Sequence, residues 1–231
     1  MKAVTCQFDA YGSNYERLLQ TFIESWKANS KIPLEVHRID PPTIGSRHAS
    51  FYWNHKKLRH WIDSLEGDTI FVDCDMLLLD DISAGFDKVA HIGITERPYD
   101  RYPFNGGVVF VRDNTQSRQF LEKWYEIDGQ MLKDRSFHKP YIEKYAGMNQ
   151  SSMGWMWESV DWKPYISVLP CATYNLCQPW HDWQNAKLIH VKSMLRQRVL
   201  NGYTSQTADM KIKLNQIAEA WEKYNPLRWD K

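Results

Sequence analysis

Charge of one sign, long apolar runs, glycine-rich nucleotide loops and metal-type cysteine pairs are all scarce in this chain of 231 residues. Lys and Arg total 29 against 28 Asp and Glu, so no bulk field announces a nucleic acid or other polyanion as partner. No apolar stretch approaches the roughly 20 residues that span a bilayer. Met1-Lys2 runs straight into a strand-like segment, which leaves no room for a signal peptide. Cys6, Cys74, Cys171 and Cys177 have no C-x-x-C spacing, and this fits a reducing, cytoplasmic setting rather than a thiolate metal site. The sequon at Asn149-Gln150-Ser151 is then coincidental. No G-x-G-x-x-G or G-K-S/T follows a strand, which argues against dinucleotide and P-loop binders. Repeats, low-complexity tracts and linkers are also missing, so the chain reads as one domain.

Aromatic residues are plentiful, with eleven Trp and twelve Tyr. Such rings serve cores, peptide grooves and sugar platforms alike, and composition favours the core. The apolar pattern alternates between strand and helix periods. Lys2–Phe8 and Leu34–Ile39 read as strands. Between them Leu18, Leu19, Phe22, Ile23 and Trp26 recur at helical spacing, behind a capping box at Ser13 and Glu16. A helix over Phe51–Leu65 leads through Gly67-Asp68 into a strand ending "TIFVDCDMLLLDD". "HIGIT" and "GGVVFVR" give two further strands, and a helix follows from Thr115. Lys139–Trp183 loosens into an aromatic, Gly- and Pro-punctuated segment. Ala186–Val191 is a last short strand, and a C-terminal helix carries Ile212, Leu214, Ile217 and Trp221. Strands alternating with helices imply an α/β fold with a mostly parallel sheet.

Asp73 and Asp75 stand two apart at the end of an oily strand, so their carboxylates project to one side. The carboxyl end of such a strand is where open α/β sheets bind ligands. Two close carboxylates repel unless a cation relieves them, and a divalent ion that also bridges a diphosphate would do so. The alternative is a pair of loop aspartates that cap a turn, as Asp80 and Asp81 are expected to do.

Further segments add to the D-x-D pattern. "FVDCDMLLLDDI", "FNGGVVFVR" (Phe104–Arg112), "LPCATYN" (Leu169–Asn175) and "LIHVKSMLR" (Leu188–Arg196) stand in the order of comparable motifs in the GT-A glycosyltransferases. The chain resembles their glycogenin and lipopolysaccharide galactosyltransferase family over about Ala3–Arg196. The resemblance implies a single GT-A domain over 1–231: a Rossmann-like nucleotide-sugar half over 1–112, an acceptor-side half over 113–200 and a helical tail over 201–231. It implies transfer of a sugar from a nucleoside-diphosphate sugar, a UDP-sugar by expectation, to an acceptor hydroxyl with retention.

By the same resemblance, Asp73, Asp75 and His190 would hold Mn2+ (or Mg2+), manganese being favoured by the imidazole. Asp9, Tyr11 or Tyr15, and Asn14 would receive the nucleotide, in an opening that also matches at Ser25. Lys57, Lys192 and Arg196 would meet the diphosphate, although Ser193 replaces the usual glycine of that loop. Asn105 and Gly106 would approach the donor sugar or acceptor. Asn149-Gln150 stand where the family has Asp-Gln, with Glu158 or Asp161 as alternatives for the missing acid. Several Trp near the cleft, in "GWMWESVDW" and "CQPWHDW", could stack on an acceptor. The acceptor would be a glycan or glycolipid, reached by a basic stretch from Lys187 to Lys213 that could touch a membrane surface peripherally. A hydroxymethylated base in viral-type DNA is the second acceptor, and a non-catalytic sugar-nucleotide-binding module is the further alternative.

Overall fold

A computed structural model describes residues 1–8, 14–40, 49–97, 103–177, 183–203, 205 and 207–226. Eight strands occur among them: β1 (Lys2–Phe8), β2 (Leu34–Ile39), β3 (Thr69–Asp73), β4 (Met76–Leu78), β5 (Ile92–Glu96), β6 (Phe104–Val111), β7 (Ile166–Pro170) and β8 (Leu188–His190). Six form the central sheet in the order β2-β1-β3-β6-β5-β7, and β4 pairs with β8 in a separate ribbon. β1 is parallel to β2 and β3, and β5 to β7, while β6 runs against both of its neighbours. The sheet is therefore mostly parallel.

Parallel neighbours need a crossover, and two helices supply the first ones. Helix α1 (Asn14–Asn29) links β1 to β2, and α2 (Ala49–Asp63) links β2 to β3 on the other side of β1. The chain thus leaves β1 in one direction and returns to its other flank. Such a reversal opens a crevice at the carboxyl ends of the strands, here β1 and β3.

Period-two alternation assigns the two faces of the sheet. Val4, Cys6, Phe71, Ile94, Val109 and Val111 face a core with Leu58 and Trp61 of α2 and with Phe120 and Trp124 of α3 (Thr115–Lys133). Ala3, Ile70, Val72, Val108 and Phe110 face the opposite core with Leu19, Phe22 and Trp26 of α1. A third cluster joins β4 and β8 to α7 (Ser193–Asn201) and α8 (Ala208–Glu222) through Leu77, Ile189, Leu195, Leu214, Ile217 and Trp221. The C-terminal helix is thus packed through Trp221, which is fully buried. Ile212, expected on its apolar stripe, is 57% exposed.

The segment 139–183 is more regular than its sequence suggested. It holds most of α4 (Arg135–Tyr145), all of α5 (Met148–Glu158), strand β7 and the short α6 (Cys171–Tyr174). Helix α5 escapes periodicity analysis because Met148, Asn149, Ser151, Ser152, Met153 and Gly154 are buried on several sides of it, leaving no polar stripe. Gly154 lets it press on α4: a Cβ there would lie 2.1 Å from Cδ2 of Tyr145. Gly154→Ala should therefore cost about 2–3 kcal/mol through overpacking, read as a lower urea midpoint. An unchanged midpoint would mean that the two helices separate freely.

Candidate functional site

Register brings the site together. β4 pairs antiparallel with β8 so that Met76 lies opposite His190. The residue before Met76 is Asp75, whose carbonyl accepts from Val191 N at 2.7 Å. Asp73 ends β3, and a bend at Cys74 turns the chain into β4, so both carboxylates converge on the imidazole. His190 Nε2 lies 3.2 Å from Asp75 Oδ1 and 3.8 Å from Asp73 Oδ2.

Each acid has its other oxygen held by a cation. Lys57 Nζ donates to Asp73 Oδ1 at 2.6 Å, and Arg196 Nη2 donates to Asp75 Oδ2. Burial opposes the charge on Asp75, but His190 and Arg196 beside it hold its carboxyl well below the usual carboxylate range. Burial likewise opposes the charge on Lys57, and Asp73 overcomes it, so its pKa stays above that of an ordinary lysine. These outer contacts fix the carboxylate planes in the way that outer partners orient metal ligands.

The imidazole needs a glycine beneath it. A Cβ on Gly107 would fall 2.5 Å from His190 Nδ1 and 2.7 Å from its Cε1. Gly106, the residue singled out in the sequence, has room for a Cβ, with only Gln150 Cγ near it at 3.7 Å. The close approach expected of "FNGG" therefore belongs to its second glycine.

A cavity of about 340 Å³ opens beside the acids. Cys6 and Phe8 from β1 form part of its lining, with Ser50, Trp53, Asn54 and Lys57 from α2, and Tyr15, Lys192 and Arg196. Ser50, Trp53, Asn54 and Lys57 share one face of α2 by the 3.6-residue period. Trp53 and Asn54 were missed in the sequence, although the choice of Lys57 implied this stripe. Phe8 and Trp53 stack at 6.0 Å between centroids, and Arg196 lies 4.9 Å from the Tyr15 ring while donating to its hydroxyl at 2.8 Å. Burial pushes the Cys6 thiol up to about 12, so it is a neutral part of the lining.

A second cavity of about 200 Å³ shares Asn54, Lys57, Asp73, His190 and Lys192 with the first, and adds Asn105, Gly106, Gly107, Asn149 and Gln150. Asn105 Oδ1 accepts from Gly107 N at 3.1 Å, which fixes the amide and leaves Nδ2 buried without a partner among the described residues. Gln150 Nε2 donates to the Tyr145 carbonyl at 2.8 Å.

Other expected residues lie elsewhere. Asp9, Tyr11 and the capping Ser13 fall outside the described residues, as do most of "CQPWHDW". Asn14 is exposed at the start of α1 and absent from both cavity linings. Ser25 braces β4 instead, accepting from Leu78 N at 3.1 Å. Glu158, at the far end of α5 from Asn149, is bound by Lys144 and Tyr145, and Asp161 is exposed. Neither lines either cavity. Trp155, Trp157 and Trp162 pack against the α3–α5 core, so the described indole in the cleft is Trp53. Asp81 does cap its turn, accepting from Ser83 N at 2.8 Å, while Asp80 pairs with Lys187.

Ser193 opens α7 with φ 50°, the left-handed region that favours glycine. The turn is made despite the missing glycine, at a cost of about 1–2 kcal/mol. Ser193→Gly should raise stability by about 0.5–1 kcal/mol once glycine's extra unfolded-state entropy is subtracted. A lower denaturation midpoint in this variant would show that the serine side chain contributes more than its backbone strain costs.

Asp73 Oδ2, Asp75 Oδ1 and His190 Nε2 suit a divalent cation. The three side chains offer ligand atoms that all lie within 4.8 Å of one another. Bonds of about 2.1–2.3 Å to one ion leave ligand atoms about 3–4 Å apart, so little movement is needed. Cys74, whose thiol burial pushes up, offers no competing thiolate.

No protein-family model and no curated protein matches the sequence. Solved structures do match. A glycosyltransferase involved in glycosylating the major capsid of PBCV-1 aligns over 94% of this chain and 100% of its own, at 13% identity and TM-score 0.60. GlyE, a glycosyltransferase of Streptococcus pneumoniae TIGR4, aligns over 99% of this chain but 61% of its own, at 15% identity and TM-score 0.59. The galactosyltransferase LgtC, solved with donor and acceptor sugar analogs, aligns over 96% of both chains at 12% identity and TM-score 0.57. This chain has the GT-A glycosyltransferase fold.

Proposed function

We propose that this protein is a metal-dependent glycosyltransferase that moves a sugar from a UDP-sugar to an acceptor hydroxyl with retention of configuration. The observation that carries the reading is the convergence of Asp73, Asp75 and His190 at the carboxyl edge of the sheet, inside a cleft with Lys57 and Arg196. Mn2+ (or Mg2+) held by these three would supply charge stabilisation to the diphosphate when bound. Tyr15, Trp53 and Phe8 offer ring surface for the base, with Asp9 or Tyr11 as further contacts. Arg196 and Lys57 meet the phosphates. Asn105, Gly106, Asn149 and Gln150 hold the sugar in the smaller cavity.

In the reaction the C1–O bond to the diphosphate breaks, a bond forms between C1 and the acceptor oxygen, and the acceptor proton passes to the departing phosphate. Asp73 and Asp75 are the only carboxylates among the described residues lining the two cavities. With both committed to the cluster, no other carboxylate among the described residues lines the cavities to act as base for inversion, which supports retention.

A glycan or glycolipid hydroxyl is the acceptor we favour. In the basic stretch Lys187 pairs with Asp80, Arg196 with Asp75 and Lys213 with Asp209. These pairs neutralise three of the six cations from Lys187 to Lys213, so a DNA base is the weaker choice. No described helix is long and apolar enough to cross a membrane, and four free, buried cysteines support a cytoplasmic setting. The test is nucleotide release from a panel of nucleotide sugars, with and without Mn2+. The enzyme should release nucleotide slowly and with metal alone; a binding module would release none.

A further inference from the structure

Among the described residues, Lys192 has no carboxylate partner. It lines both cavities and makes no ion pair among the described residues. The two other cations of the site are each committed to an acid, Lys57 to Asp73 and Arg196 to Asp75. Asp73 is the one acidic side chain among the described residues lining the smaller cavity. Apart from Asp73, His190 and the two lysines, its polar side chains are the amides of Asn54, Asn105, Asn149 and Gln150.

Charge balance then points in one direction. The two acids are matched by Lys57 and Arg196, and a divalent ion is matched by the two negative charges of a nucleotide-sugar diphosphate. Lys192 remains, half-buried at the junction of the cavities. A charge withdrawn from water favours a ligand that pairs with it. Resting on the transferase reading above, the geometry points to a donor whose sugar itself carries a carboxylate, a UDP-hexuronate. Amides donate to a carboxylate and to hydroxyls alike, whereas an acid at position 149 would repel it.

Calorimetric titration in Mn2+ tests this with UDP, UDP-glucose and UDP-glucuronate on wild type, Lys192→Met and Asn149→Asp. Wild type should bind UDP-glucuronate about tenfold more tightly than UDP-glucose, as one charge-assisted pair predicts. Lys192→Met should bring that ratio near one, and Asn149→Asp should reverse it. Equal affinities in wild type, or a preference that survives Lys192→Met, would overturn the inference and leave the transferase reading in place. Binding of none of the three would overturn both.

Discussion

Asp75→Asn should lower metal-dependent nucleotide release from a UDP-sugar by at least about 10³-fold while leaving a folded protein. The carboxylate is buried between His190 and Arg196, and its Oδ1 faces the imidazole. An amide keeps the shape but removes the charge that a divalent ion requires, and electrostatic groups of this kind carry factors of about 10²–10³ even when neutral. Arg196 loses its anionic partner, yet its side chain is partly exposed and can turn to water, so the stability loss should stay below about 3 kcal/mol. The measurement pairs product release with circular dichroism. Retained activity in a folded variant would remove Asp75 from the reaction.

Gly107→Ala should be nearly as damaging, although the residue touches no substrate in this account. The new methyl would stand 2.5 Å from His190 Nδ1 and 2.8 Å from Met76 Cε. The thioether can swing aside, but the ring, 3.2 Å from Asp75 Oδ1 on its other edge, must tilt and disturb that contact. Mn2+ affinity should fall by about 10–100-fold, the range seen when support for a metal ligand is lost. Overpacking should add a cost of about 1–3 kcal/mol. Gly106→Ala is the control, since its nearest new contact is an ordinary 3.7 Å, and it should leave metal affinity within about threefold. Equal effects of the two alanines would contradict the role given to Gly107.

The parts of the molecule legible in the sequence were those written by a regular period. α1 and α3 recur cleanly because each has one buried face, and β1 reads as a strand through a short run buried on both faces. Asp73, Asp75 and His190 could be connected through motif order alone, but the reason that they meet is the β4–β8 register, which no local pattern encodes. Helix α5 stayed hidden because it is buried on several sides. Gly106 and Gly107 could not be told apart, since adjacent strand residues face opposite ways and only the packed ring reveals which one must lack a side chain. In the aromatic segment the packing role that composition favours is the one taken by Trp155, Trp157 and Trp162, which close a core.

Mn2+ binding, followed by the loss of the free-ion electron paramagnetic resonance signal with UDP present, is the most direct test of the central claim. The wild-type protein should bind one Mn2+ per chain and His190→Ala at least about 100-fold more weakly, with the fold intact by circular dichroism. Unchanged Mn2+ affinity in His190→Ala, or no binding to the wild type, would contradict it.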